Sequence, residues 1–259
     1  MQGLLDQSVS NKAISATILD LARRGFLHIS FPENQEKGFF KKKESGILLK
    51  RTDQFMSDNE REDLLPFEKT IFDGLFSAGQ RVKPEDLKEA FYPSLVQAKE
   101  EIMSRLVERG FFVGPPERVR TIWTVVGFVW LFIGFFLIGF FPGIKIFLWM
   151  TGALPIFLFG WFMPRWSLLG AITVEEIEGF KRFLSVTETE RLAFHDAPEK
   201  TPEQFSLFLP AAIAFGIEQK WAKQFASLGA IQPDYVSGGS VAMWSSSSNM
   251  SDSLSSFSD

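Results

Sequence analysis

The feature that most constrains this chain is an uncharged run at residues 121–141, TIWTVVGFVWLFIGFFLIGFF. At about 1.5 Å per residue, a helix of this run is about 31 Å long, which matches the hydrocarbon core of a bilayer. A second uncharged run, residues 146–163, follows a short turn and reaches about 27 Å as a helix. The two runs predict a transmembrane helical hairpin. The alternative is a helical hairpin buried in a soluble core.

Charged residues around the two runs predict the orientation of the hairpin. Arg118 and Arg120 precede the first run, Arg165 and Lys181 follow the second, and the connecting turn contains Lys145. Because positively charged flanks stay in the cytoplasm, we expect a multi-pass membrane protein with both termini cytoplasmic. Neither run contains an ionisable residue, so a transport path through these helices alone is not expected.

Small residues in and beside the first run are candidates for close helix packing: Gly127, Gly134, Gly139 and Gly143. The first two share a helix face, and the last two form a small-xxx-small pair that Pro142 interrupts. They are interpreted as residues that pack the hairpin on itself. Contacts between copies of the chain are the alternative.

A short phrase occurs twice in the N-terminal part, as LARRGFL at residues 21–27 and as LVERGFF at residues 106–112. In both copies an apolar helix face leads to a glycine that ends the helix in the left-handed conformation, and an apolar strand follows. The repeat predicts two winged-helix-like units in which Leu and Phe pack, Gly turns and Arg stays exposed. A chance match is the alternative.

Charge argues against nucleic acid as the partner of these units. Residues 1–118 contain 18 Lys and Arg against 19 Asp and Glu, and the candidate recognition helix, residues 94–109, has no net charge. Binding to phosphates needs clustered cations. The run Lys41, Lys42 and Lys43 at the predicted wing tip is interpreted as a solvated edge. Contact with lipid head groups or with a protein partner is the alternative.

Composition excludes several kinds of catalytic and metal site. The chain has no cysteine and two histidines, which excludes disulfides, thiolate zinc sites and cysteine nucleophiles. His28 is interpreted as structural and His195, beside Asp196, as a surface residue rather than a proton-transfer group. The carboxylates of residues 175–190 fit the first turns of helices better than acid–base chemistry. We therefore expect no enzymatic activity, no cofactor and no bound metal.

Three segments after the hairpin resemble a known family: GFKRFL at residues 179–184, then ERLAF, then FLPAAIAFGIEQKWAKQF at residues 208–225. They closely resemble the C-terminal half of the YciQ-like predicted membrane proteins, a bacterial family of unknown function. ISATILDLARRGFLHI and FEKTIF occur upstream in the family's order, so the resemblance covers roughly residues 11–235. Ala211 stands where the family commonly has an aromatic residue.

The resemblance implies a location in the bacterial inner (cell) membrane, and it offers no catalytic residues to carry over. Members of the family usually begin with a signal sequence, an extracytoplasmic β-rich domain and one further transmembrane helix. The chain is therefore expected to be the cytoplasmic-plus-hairpin half, as a split gene product or as a fragment.

These observations predict a mainly α membrane protein, with a two-helix transmembrane hairpin, flanking cytoplasmic winged-helix-like α+β units and a C-terminal helical region. Its predicted domains are the winged-helix-like units 1–60 and 61–117, the hairpin 118–166, the helical region 167–232 and a disordered Ser-rich tail, 233–259. We expect a membrane-tethered protein-interaction or scaffold module whose partners are the lipid bilayer and other proteins or a second copy. A membrane-bound winged-helix nucleic-acid regulator, or an accessory subunit of a transporter or envelope enzyme, is the alternative.

Overall fold

A computed structural model describes residues 1–31, 47–52, 64–83, 87, 90–137, 152, 156, 158, 166–185, 201–225 and 233–237. Its helices are α1 (Gln2–Leu5), α2 (Asn11–Arg23), α3 (Pro66–Leu75), α4 (Tyr92–Glu108), α5 (Pro116–Leu137), α6 (Leu168–Ser185), α7 (Pro202–Ala214) and α8 (Glu218–Gln224). Its strands are β1 (Leu27–Ser30), β2 (Leu48–Arg51), β3 (Arg81–Val82) and β4 (Val236–Ser237). The chain forms two compact units, one of residues 1–3, 9–102 and 177–259 and one of residues 4–8 and 103–176.

The first unit is centred on helices α2 and α7, whose mutual contact is the most extensive between any two helices in the described part of the chain. On α2, Ile14, Ile18 and Leu21 recur at helical spacing and are fully buried, as this spacing predicts. On α7, Leu209 and Ile213 are buried as well. The chain before residues 121–163 therefore packs on the chain after them.

Aromatic rings join α6, α7 and α8 within the same unit. Phe180 of α6 meets Phe208 of α7 edge-on, with 5.7 Å between the ring centroids. Phe208 in turn lies 6.1 Å from Trp221 of α8. The indole nitrogen of Trp221 donates a hydrogen bond of 3.3 Å to the backbone oxygen of Phe205. The phenylalanine-rich C-terminal segment thus builds a packed aromatic core.

The sheet is mixed, with strand order β3-β2-β1-β4. Strand β2 pairs antiparallel with β1 and with β3, and β4 pairs parallel with β1. The prediction of two separate winged-helix-like units is therefore wrong. Strand β3, which belongs to the second predicted unit, joins strands β1 and β2 of the first predicted unit in one sheet. A hairpin alone is marginally stable, and a third strand completes it. After the second copy of the phrase the chain forms an isolated bridge between Phe112 and Trp166.

In the second unit, the predicted transmembrane hairpin is also wrong. Among the described residues, no helix combines the length and the apolar character needed to cross a bilayer. The first turn of α5 contains Glu117, Arg118 and Arg120, and the uncharged part of this helix that the structure describes ends at Leu137. Most of the second run, residues 146–163, lies outside the described residues.

Candidate functional site

The first unit contains an open groove with a volume of about 650 Å³. Its walls come from five places: the C-terminal end of α2, the start of β1, Thr52 after β2, the first turns of α7 and residues 233–235. The side chains that line it are mixed in character and include Arg23, His28, Glu203, Leu207 and Tyr235. The groove therefore offers apolar surface and charges of both signs.

The first copy of the doubled phrase forms one wall of the groove. Gly25 has a φ of +88°, its N–H donates to the Ala22 oxygen, and the N–H of Phe26 donates to the Leu21 oxygen. These two bonds form a Schellman motif, which turns the chain from helix to strand at glycine without steric cost. The turn places Leu27 and His28 at the groove directly after Arg23 and Gly25.

The second wall is the start of α7. Thr201 caps this helix, its hydroxyl accepting from the Gln204 N–H at 3.3 Å, and Pro202 occupies the first turn, where its missing N–H has no cost. Glu203 follows at the fully exposed rim of the groove. Hydrogen bonds from its own backbone N–H and from the Thr201 hydroxyl lower the pKa of the Glu203 carboxyl. The rim of the groove therefore keeps a negative charge on this side.

Pro210 inside α7 creates the hydrogen-bond acceptor of the site. A helical proline has no N–H, so it cannot bond to the carbonyl oxygen four residues earlier, which here belongs to Ser206. That oxygen instead accepts a hydrogen bond of 3.1 Å from the Tyr235 hydroxyl. Burial raises the pKa of the Tyr235 phenol, which keeps the hydroxyl protonated as the donor.

The edge of strand β1 supplies the donors of the site. The N–H of Ile29 donates to the Tyr235 oxygen at 3.0 Å, and the N–H of Phe31 donates to the Ser237 oxygen at 2.8 Å. The imidazole Nε2 of His28 lies 3.2 Å from the Ser237 hydroxyl. Residues 235–237 are thus held by backbone bonds to β1, by the Ser237 hydroxyl at His28, and by the Tyr235 hydroxyl at Ser206 of α7.

The residues that sequence reasoning selects lie elsewhere. Gly127 and Gly134 are in α5, with Gly127 buried, whereas Gly139, Gly143 and the run Lys41, Lys42 and Lys43 lie outside the described residues, as does His195. Sequence reasoning missed the groove itself. Two signals could have indicated it: a proline within a helical pattern, and the lone Pro-Asp-Tyr-Val segment in a Ser-rich region.

The site holds an extended segment of the chain itself, because backbone donors on β1 and a backbone acceptor on α7 bind residues 235–237, as in the binding of an extended polypeptide. Within the described ranges, no three His, Asp or Glu side chains are close enough to hold a metal ion.

Comparison with known proteins identifies the family of this chain. Residues 1–225 match the family model described as predicted membrane protein (DUF2207) C-terminal domain. No curated protein matches the chain, and no solved structure does either. The match confirms the resemblance that GFKRFL and the segment of residues 208–225 indicate. The chain belongs to this family of predicted membrane proteins, whose C-terminal domain it carries in residues 1–225.

Proposed function

We propose that this chain is a non-enzymatic protein-interaction module at the bacterial cell membrane, and that the groove between α2, β1 and α7 is its contact surface. The observation that carries the proposal is one open groove that combines apolar side chains, of which Leu207 is 49% exposed, with charges of both signs. Protein segments bind in grooves of this kind through apolar anchors and through polar contacts at the rim.

The lipid bilayer is the second partner in this proposal, with both termini of the chain on the cytoplasmic side. Helix α5 supports it, because Ile122, Val125, Phe128 and Phe132 are 53–66% exposed. Contiguous apolar surface of this kind marks a site for another protein or a membrane. Arg118 and Arg120 at the start of the same helix place positive charge where cytoplasmic anionic head groups attract it.

Site-specific photo-crosslinking in cells tests the groove. We would place a benzophenone amino acid at Leu207, which lines the groove and is 49% exposed, and separately at Tyr92 on α4, which is outside the groove and 62% exposed. We expect position 207 to give one discrete protein adduct, identified by mass spectrometry and recovered by reciprocal purification, and position 92 to give none.

Each other outcome of the crosslinking decides between functions. Equal adducts at both positions, or none at either, would contradict the groove as a contact surface. A nucleic-acid adduct would favour the regulator, and an adduct with a polytopic membrane protein would favour an accessory subunit.

Membrane location is tested by vesicle flotation of the purified chain. We expect it to float with vesicles that contain anionic lipid, and the double variant Phe128→Lys/Phe132→Lys to remain at the bottom of the gradient. Tyr92→Lys, which charges an equally exposed aromatic position on another helix, should float like the original. Flotation of the double variant would contradict α5 as the lipid contact.

A further inference from the structure

The family match covers residues 1–225, and backbone groups within this range take hydrogen-bond partners from residues 235–237, beyond it. The N–H groups of Ile29 and Phe31 donate to residues 235 and 237, and the oxygen of Ser206 accepts from Tyr235. Ile29 is fully buried and Phe31 nearly so. Buried backbone groups require hydrogen-bond partners, and here residues 235–237 supply them.

We propose that the β1 edge together with the Ser206 carbonyl is a strand-docking site for an extended protein segment with the order aromatic hydroxyl, β-branched residue, small hydroxyl. The chain's own Tyr235, Val236 and Ser237 occupy the site in cis. A partner protein that presents the same order in trans replaces them. This inference rests on the proposed interaction function and names the class of partner that binds at the wall of the groove formed by residues 233–235.

The geometry of the occupant defines this order of side chains. The hydroxyl of Tyr235 reaches Ser206 on α7, Val236 is 2% exposed opposite Ile29, and the hydroxyl of Ser237 meets His28. In a strand, successive side chains point to opposite faces. The outer two positions therefore require hydroxyl groups and the middle position requires a compact apolar side chain.

The cis segment is suited to exchange because it lies at the edge of the sheet. Among the described residues, strand β4 pairs with β1 and with no other strand. A segment in trans can pair along the same edge of β1, as in other cases of strand addition. The cis segment competes at the millimolar effective concentration typical of a tethered ligand. A partner segment must therefore bind more tightly than the cis segment, or be present at a higher concentration, in order to replace it.

The test uses the full chain and a fluorescent peptide that copies residues 231–239, with binding followed by anisotropy. Val236→Asp in the full chain places a charge in a buried position and releases the cis segment. We expect this variant to bind the peptide at least tenfold more tightly than the original chain. In the peptide, Tyr→Phe at the position of Tyr235 should weaken binding by about fivefold, the equivalent of one hydrogen bond.

A reversible lock provides the second arm. Ser30 and Ser237 are partners in the β1–β4 register, and the chain has no cysteine of its own. In the oxidised Ser30→Cys/Ser237→Cys monomer the cis segment is fixed, so we expect no peptide binding, and reduction should restore it. The single variants Ser30→Cys and Ser237→Cys, which cannot form the bond within one chain, are the matched controls.

Equal peptide binding by the oxidised and reduced double variants would overturn the inference. So would failure of the folded Val236→Asp variant, checked by circular dichroism, to bind the peptide. These results are separable from the crosslinking at Leu207. An adduct at Leu207 without peptide binding would support the interaction function and contradict the strand-docking site. Peptide binding without an adduct in cells would support the strand-docking site and contradict the groove as a contact surface.

Discussion

Gly25 and Gly110 carry the doubled phrase, and both adopt left-handed backbone conformations, with φ of +88° and +76°. In each copy the glycine N–H bonds to the oxygen three residues earlier, and the following phenylalanine N–H bonds to the leucine five residues earlier. The repeated phrase therefore forms the same helix-ending turn at two places in the chain. The arginines differ: Arg109 is exposed, whereas Arg24 bonds to Glu68 at 3.0 Å.

Gly110→Ala tests the helix stop. A side chain in the left-handed region costs about 1–2 kcal/mol, so we expect the free energy of unfolding in urea to fall by about 1 kcal/mol. Gly114→Ala is the control. A Cβ at either position meets no atom within 4 Å, and only Gly110 has a positive φ. Equal effects of the two substitutions would show that conformation is not the cause.

Glu68 is the buried charged residue of the first unit, at 7% exposure. Its carboxylate accepts from the Leu65 N–H at 2.9 Å, which caps α3, and from the Arg24 guanidinium at 3.0 Å. Arg24 also lies over the ring of Phe26, 5.1 Å from its centroid. One carboxylate thus connects the start of α3 to the end of α2.

Glu68→Gln removes the charge and retains the shape. Hydrogen bonds to charged groups contribute about 1.5–3 kcal/mol each, so we expect a loss of about 2 kcal/mol in the free energy of unfolding. Glu100→Gln, on the exposed surface of α4, should change it by less than about 0.5 kcal/mol. A loss for Glu68→Gln as small as that of the control would refute the role of the pair.

At the scale of elements, the decisive feature is the proline within α7. Pro210 is buried within the helix, and the Ser206 oxygen, which it cannot bond, is the acceptor for Tyr235. The four-residue spacing of Ile213, Ile217, Trp221 and Phe225 is typical of one continuous helix. The structure instead forms two helices, because Gly216 with φ of +66° follows the end of α7 and α8 begins at Glu218.

A double-mutant cycle tests the link between Pro210 and Tyr235. Pro210→Ala restores an N–H that competes for the Ser206 oxygen. We expect Tyr235→Phe to cost about 1 kcal/mol of unfolding free energy in the original chain and close to nothing in the Pro210→Ala background. The cycle cancels the cavity that either substitution leaves on its own. Equal costs in both backgrounds would mean that the proline does not create the acceptor.

Several elements could be predicted from the sequence because their signals are local. Pro66 at the start of α3, the strands LHIS and LLKR, and the burial of Ile14 and Ile18 follow from turn chemistry and periodicity. Residues 121–137 of the first apolar run do form helix α5, although no helix among the described residues is long and apolar enough to cross a membrane.

At the scale of the whole molecule, Tyr235 makes stability depend on pH. Burial raises its pKa in the folded protein, whereas in the unfolded chain a tyrosine titrates near pH 10. The folded state therefore retains the proton more strongly. The contribution of this pKa difference to the free energy of unfolding is therefore complete below about pH 10, and it decreases as the pH rises above that value.

Urea unfolding at pH 8 and at pH 11 measures this dependence. We expect the stability of the original chain, relative to that of Tyr235→Phe, to fall by about 1.4 kcal/mol between the two values. The comparison removes the effect of all other titrating groups, because both proteins share them. A constant difference between the two proteins would contradict the burial of the phenol.

The sequence by itself determined the helix stops, the short strands, the aromatic-rich core segments and the family, because each depends on neighbouring residues or on an extended pattern. Only the tertiary structure decided that β3 joins the first hairpin, that Val236 pairs with Ile29, and that Tyr235 reaches the oxygen left unbonded by Pro210. Such pairings join residues as many as two hundred positions apart. They depend on which backbone groups remain unsatisfied after local structure has formed, and no local pattern records that.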